Sequence, residues 1–227
     1  MFSLPALDWS LFSLINQEWR NPVFDWIMAF LSHDLTYWIL GISALLWALV
    51  SKNRKLILNL IFIAMIMGVT DLWTNGIKHA TGRVRPYKAE PGVFYLRDDD
   101  WTRRPENFIP KKEDGRSFPS AHAANSMAFA VAVLLLWPGK RKKFAILILP
   151  LAVGYSRIYL GKHFPFDVLG GWCVGAFTAS LLILLPSRFS LTFRSLIDLR
   201  PPKTGDPPCT CGTEQPPTRR TPEKGSD

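Results

Sequence analysis

The chain has 227 residues, 48% of them hydrophobic and nine of them tryptophan, with a formal net charge of +9. That length allows one domain and a tail. The cations stand in short clusters beside apolar runs rather than in an aromatic-basic groove, which argues against a nucleic-acid-binding module and for a membrane chain. Three cysteines cannot build a disulfide framework, and Cys209 and Cys211 lack the second pair or nearby histidine of a zinc site.

Residues 1–34 read as an N-terminal interfacial segment. Met1 to Arg20 has no basic leader and carries Asp8 and Glu18 among its apolar residues, so a cleaved signal is not expected. Leu11, Leu14, Ile15 and Trp19 fall at helical spacing and predict an amphipathic helix lying at the interface, anchored by Trp9, Trp19 and Trp26. A second short helix follows from about Pro22 to Leu31. A crossing here would place Glu18, Arg20 and Asp25 in lipid or protein interior, which is costly.

Five apolar runs then follow, from about Leu35 to Val50, Leu56 to His79, Ser120 to Trp137, Phe144 to Leu160 and Phe166 to Leu185. Most approach the ~20 residues that a bilayer requires. The fold expected is all-α: a polytopic membrane helix bundle of about five to six transmembrane helices over residues 35–190. Basic clusters at Lys52, Arg54 and Lys55, at Lys140 to Lys143, and at Arg188, Arg194 and Arg200 place those connections in the cytoplasm by the positive-inside rule. The loops 80–119 and 161–165 then share the opposite face, the periplasm or exterior of a bacterial inner membrane. Loop 80–119 is too long for a simple connector and is expected to shape a site. Residues 191–227, rich in Pro, Thr, Lys and Glu from Pro201 onward, read as a disordered cytoplasmic tail.

Three polar clusters stand at the ends of spans on that outward face. They are Lys78 with Arg85-Pro86, Ser117 to His122, and Ser156-Arg157 with His163 and Asp167. Singly, Lys78 or Arg85 could snorkel, Ser120 could cap a helix, and His163 with Asp167 could open another. Together they place three cations, two histidines and a carboxylate at one depth, where charge is costly and usually functional. A multiply charged anion is the ligand that uses three cations at once, and phosphate fits guanidinium forks. A helix starting after Pro119 offers unpaired backbone N–H groups to such an anion, with the Ser120 hydroxyl beside them. Asp167, four residues after His163, can hold one imidazole nitrogen and leave the other free to attack phosphorus. His122 can act across the phosphate as general acid.

These residues resemble the type 2 phosphatidic acid phosphatase (PAP2) superfamily, which includes bacterial undecaprenyl-pyrophosphatases and vanadium haloperoxidases. Its pattern is Lys, six residues, Arg-Pro; then Pro-Ser-Gly-His; then Ser-Arg, five residues, His, three residues, Asp. Lys78, Arg85, Pro86, Ser156, Arg157, His163 and Asp167 match, and Pro119 to His122 matches except that Ala121 stands where glycine is usual. The resemblance implies catalytic roles for His163 as nucleophile, Asp167 as its orienter and His122 as acid. It implies phosphate binding by Lys78, Arg85, Arg157, Ser120 and the backbone N–H of Ala121. It implies no metal and no cofactor. The substrate implied is a lipid phosphate or pyrophosphate, with undecaprenyl pyrophosphate first. Phosphatidylglycerol phosphate, phosphatidic acid and lipid A are the alternatives. A non-enzymatic lipid-phosphate-binding membrane protein and a vanadate-dependent oxidase are the more distant readings.

Overall fold

The computed structural model describes residues 6–97, 100–110, 115–137 and 141–185, all within one compact unit, Met1–Ile197. The expected tail 191–227 lies outside the described residues, with Cys209 and Cys211, and so do Asp98, Asp99, Lys140, Arg188, Arg194 and Arg200. The described elements run α1 (Ala6–Ser13), a π-helical turn (Leu14–Glu18), α2 (Pro22–Leu31), α3 (Asp34–Val50), α4 (Arg54–Thr81), α5 (Pro86–Ala89), β1 (Phe94–Arg97), β2 (Asp100–Arg103), α6 (Ala121–Leu136), a 3-10 turn (Arg141–Leu147), α7 (Ile148–Tyr159) and α8 (Pro165–Leu184).

Helix α4 is 28 residues long and continuous, with a largely apolar interior that no proline interrupts. Asn53 Oδ1 accepts from Leu56 N at its start. Its stop is Gly82, which takes the left-handed conformation at φ 58° and sends its N–H to the Lys78 carbonyl. This stop leaves Lys78 in the last turn.

The bundle's core is a seam of α4, α6 and α8, where Phe62, Ile63 and Ile66 meet Ala128, Ala132, Ala179 and Ile183. Helices α6 and α8 approach closely because small residues face each other. A Cβ at Gly175 would lie 2.0 Å from the Ala124 carbonyl oxygen, and one at Gly171 would lie 2.4 Å from that of Ser120. Ser120 N in turn donates to the Asp167 carbonyl at 2.9 Å, joining the start of α6 to the start of α8. Two functional segments are thus locked together by backbone contact.

Among the described residues, two segments are long and apolar enough to cross a bilayer, Arg54–Ala89 and Pro165–Leu184. Four further apolar helices, Pro22–Leu31, Ile39–Val50, Ala121–Leu136 and Phe144–Tyr159, are shorter. At 1.5 Å per residue α6 is only about 24 Å long, so the expected count of about five to six spans does not follow from helix length. Large apolar side chains such as Trp47, Val50, Leu72 and Phe177 point outward, each more than half exposed. Lipid is the solvent that suits such a surface.

Two features differ from the sequence reading. The all-α expectation misses a small antiparallel hairpin in loop 80–119, paired from Phe94 with Arg103 to Arg97 with Asp100. Four-residue strands carry too little alternation to stand out in a sequence. In the N-terminal segment the buried stripe is Asp8, Phe12 and Asn16, while Leu11 and Trp19 of the expected apolar stripe are exposed. Leu11 and Trp19 thus lie on the outward side, where an interfacial helix would meet lipid, and periodicity did not disclose the inward stripe because two of its three residues are polar and are satisfied only by distant partners. Asn16 clamps the hairpin, accepting from Phe94 N at 3.0 Å and donating to Phe94 O at 2.9 Å and Tyr159 O at 2.8 Å. Arg20 and Asp25, costly if lone, form an ion pair at 2.5 Å, and Asp25 also accepts from the Tyr159 hydroxyl.

Candidate active site

The site begins with a turn. After α7 the Gly161 backbone adopts φ 68°, and the N–H groups of Lys162 and His163 both return to the Arg157 carbonyl, at 3.1 and 3.2 Å. Arg157 and His163 are therefore held at a fixed separation by main chain. Arg157 Nη1 lies 3.4 Å from the Ser32 carbonyl, and the Ser32 and Ser156 hydroxyls bond at 2.8 Å, tying α2 to α7. Arg157 and His163 are both buried.

Burial in this turn, reinforced by the Arg157 and Arg85 charges, pushes the His163 imidazole from its ordinary 6.5 down to about 4, against the opposing pull of Asp167. The ring is thus neutral at physiological pH, as a nucleophile must be. Its Nδ1 stands 3.7 Å from Asp167 Oδ2, beyond hydrogen-bond distance, and makes no other hydrogen bond among the described residues. Catalytic hydrogen bonds are often this long before substrate arrives and tighten afterwards.

Asp167 itself is rigidly held. Oδ2 accepts from Ser117 Oγ at 2.5 Å and from Phe164 N at 2.9 Å, and Oδ1 accepts from Arg83 Nη1 at 2.7 Å. The second arm of the Arg83 guanidinium donates to Asp8 Oδ2, and Asp8 Oδ1 accepts from Phe166 N at 2.9 Å. Both carboxylates are fully buried, while the Arg83 side chain is 17% exposed and rests 4.6 Å from the Phe164 ring. One arginine therefore bridges the N-terminal helix and the carboxylate behind the expected nucleophile.

The expected anion-binding cations converge on the same place. Lys78, from the end of α4, lies within electrostatic reach of Arg85, Arg157 and Arg116. Ser120 sits at the N-cap of α6, yet its side chain makes no capping bond, and its buried Oγ has no hydrogen-bond partner among the described residues. A buried orphan hydroxyl is costly, and a substrate oxygen would relieve it. Ala121 and His122 occupy the first turn of α6, both half-buried. An N–H at Ala121 has no acceptor within its own helix.

A neutral imidazole backed by a fixed carboxylate, facing several cations and a helix start, can transfer a phosphoryl group. The sequence profile described as PAP2 superfamily matches residues 56–190. The chain belongs to the PAP2 superfamily. Among PAP2 relatives, the Escherichia coli K12 protein YbjG, whose name gives undecaprenyl-diphosphatase as a candidate activity, is 32% identical over 179 residues, covering 76% of this chain and 79% of the relative. The undecaprenyl-diphosphatase of Sulfolobus acidocaldarius is 29% identical, covering 78% and 77%. A lipid A 4'-phosphatase of Bacteroides thetaiotaomicron is 25% identical, covering 78% and 76%. The crystal structure of Aquifex aeolicus LpxE superposes with a TM-score of 0.59 at 23% identity, covering 78% of this chain and 94% of the other. A transmembrane PAP2-type phosphatidylglycerolphosphate phosphatase from Bacillus subtilis gives 0.55 at 21%, covering 78% and 85%. The mostly helical membrane fold of PAP2 phosphatases is thereby shared.

The PAP2 pattern does not reveal Arg83, Asp8 or the contact of Ser117 with Asp167. Arg83 lies two residues before Arg85-Pro86 and reads as one more loop cation. Asp8 left a usable signal, since a lone carboxylate in an apolar run calls for a buried partner.

Proposed function

We propose that this PAP2 phosphatase hydrolyses a lipid phosphate, with undecaprenyl diphosphate as the best-matched substrate and the lipid monophosphate and orthophosphate as products. The observation that carries this reading is the buried neutral His163, backed by Asp167 and within reach of the Arg157 and Arg85 charges. The undecaprenyl-diphosphatase names of two relatives support the choice of lipid.

In the proposed reaction Lys78, Arg85 and Arg157 hold the phosphoryl oxygens, and Ser120 Oγ and the Ala121 N–H complete the cradle. His163 Nε2 attacks phosphorus while Asp167 accepts a hydrogen bond from the His163 Nδ1–H, which keeps its proton. The N–P bond forms as the P–O bond to the leaving group breaks. The bonding electron pair stays on the leaving oxygen, which takes a proton from His122. Water then attacks the phosphohistidine, His122 accepts its proton, the N–P bond breaks and orthophosphate departs. No step calls for a metal, since three cations carry the charge of the transition state.

The site faces the periplasm or exterior in this reading. Tyr87 N donates to Gly161 O at 3.1 Å, joining loop 80–119 to the turn 160–164, and the positive-inside rule would put both across the membrane from the basic clusters of the sequence at Lys52 to Lys55 and Lys140 to Lys143. The apolar exterior of the bundle delivers a lipid substrate in the plane of the membrane.

The test is orthophosphate release by purified protein in detergent with excess EDTA. Undecaprenyl diphosphate, phosphatidylglycerol phosphate, phosphatidic acid and lipid A are offered in turn, with His163→Ala as control. EDTA-resistant release, fastest with undecaprenyl diphosphate and lost in the variant, is expected. Full activity in His163→Ala would sink the mechanism. Tight lipid binding without turnover by the wild type would replace the enzyme with a binding protein.

A further inference from the structure

Beside the histidine pocket lies a cavity of about 400 Å3 that the PAP2 pattern does not account for, bounded by Arg85, Tyr87, Tyr95, Arg97, Arg104 and Lys162. Four of these side chains are cationic, and among the described residues none lining the cavity is acidic. Two of its lining residues adjoin the proposed catalytic centre. Arg85 is one of the proposed phosphate ligands, and Lys162 immediately precedes His163.

The opposite wall is built rather than incidental. Arg104 Nε donates to the Tyr87 carbonyl at 2.7 Å, and its guanidinium lies 4.8 Å from the Tyr95 ring and 4.6 Å from the Phe108 ring. The Tyr87 and Tyr95 rings stack at 5.4 Å. Gly92 N donates to Arg104 O and Arg104 N to Val93 O, which fixes the arginine at the hairpin base. The Asn16 clamp on Phe94 then holds the hairpin against α7. A guanidinium oriented this way before any ligand arrives loses little entropy on binding an anion.

We propose that this cavity is a subsite for the second, non-transferred phosphate of a diphosphate substrate, with Arg104 and Lys162 as its contacts and Arg85 shared between the two phosphates. This rests on the phosphatase reading above and adds to it the reason for choosing a diphosphate over a monoester. When His163 Nε2 attacks the terminal phosphorus, the P–O bond to the bridging oxygen breaks and its electron pair remains on that oxygen. The leaving group is then the lipid monophosphate. Arg104, Lys162 and Arg85 stabilise the charge that develops on it before His122 delivers its proton to the bridging oxygen, and the charge that its non-bridging oxygens keep. A monoester places no charge there.

The experiment measures kcat/KM for farnesyl diphosphate and farnesyl monophosphate with the full-length protein in detergent, for the wild type, Arg104→Gln, Lys162→Gln and Arg104→Lys. One charge-assisted contact corresponds to roughly 10- to 100-fold in affinity. The ratio of diphosphate to monophosphate kcat/KM is expected to fall by that factor in each glutamine variant and to recover partly in Arg104→Lys. An unchanged ratio overturns the subsite while leaving the phosphatase reading intact. Wild-type protein that releases phosphate from neither substrate overturns the phosphatase reading itself. If the glutamine variants do not fold, inhibition of the wild type on farnesyl monophosphate decides. Inorganic pyrophosphate must then inhibit at least about tenfold more strongly than orthophosphate, and equal inhibition refutes the subsite.

Discussion

Replacing Arg83 by alanine separates what Arg83 does for folding from what it does for the reaction. Its two guanidinium arms join Asp8 and Asp167, two fully buried carboxylates on elements far apart in the chain. Removing one partner of a buried ion pair costs roughly 3–5 kcal/mol, because the charge left behind has lost its compensation. Arg83 is 17% exposed, so water can replace part of it and the lower end of that range applies. A second effect follows at His163. With Arg83 gone, an uncompensated carboxylate stands 3.7 Å from Nδ1 and favours the protonated ring. The imidazole is expected to rise from about 4 toward its ordinary 6.5, carrying the acid limb of kcat/KM upward with it. The assays are thermal unfolding in detergent and the pH profile with a water-soluble phosphate ester. Arg83→Lys keeps the charge but reaches one carboxylate at a time, so it should fall between the wild type and Arg83→Ala. A variant that loses thermal stability but keeps the wild-type acid limb would show that Arg83 only braces the fold.

Other consequences can be measured independently. Because His163 is held at about 4 against 6.5 in the unfolded chain, the unfolded state binds the extra proton between those values. Stability should therefore decline as pH falls from 6.5 to 4, by roughly 3 kcal/mol from this group, and a flat thermal midpoint across that window would contradict the burial argument. Ser120→Ala removes a hydroxyl that neither caps its helix nor bonds to any other described residue. It should lower kcat/KM about tenfold, the value of one hydrogen bond to a charged group, with little change in melting temperature. Gly175→Val would drive a side chain into the Ala124 carbonyl, 2.0 Å from the Cβ position. Overpacking of this kind costs about 1–3 kcal/mol, so the melting temperature should drop, and an unaltered one would mean that α6 and α8 separate freely.

The candidate site was legible in the sequence wherever a residue's placement is set by its local neighbours. Lys78 closes a helix because Gly82 stops it, Ser120 opens one after Pro119, and His163 follows a glycine turn that ties it to Arg157. Spacings of this sort survive in one dimension because each is a property of a few consecutive peptide units. The apolar runs were legible for the same reason, and they anticipated helices α3, α4, α6, α7 and α8. The hairpin at 94–103 was not, since its strands are short and their pairing is stabilised by Asn16, more than seventy residues away.

By itself, then, the sequence marked out the candidate residues for phosphate chemistry and roughly where the helices lie, because both depend on local covalent spacing and on runs of apolar side chains. Only the tertiary structure decided that Asp8 and Arg83 stand behind Asp167, that the hairpin walls a cationic cavity beside His163, and which face of the N-terminal helix is buried. Each of those is a contact between segments separated by scores of residues, and each buries polar groups that hydrophobic periodicity assigns to solvent. A buried carboxylate is tolerable only when its partner arrives from elsewhere in the chain, and where that partner comes from is a property of the packing.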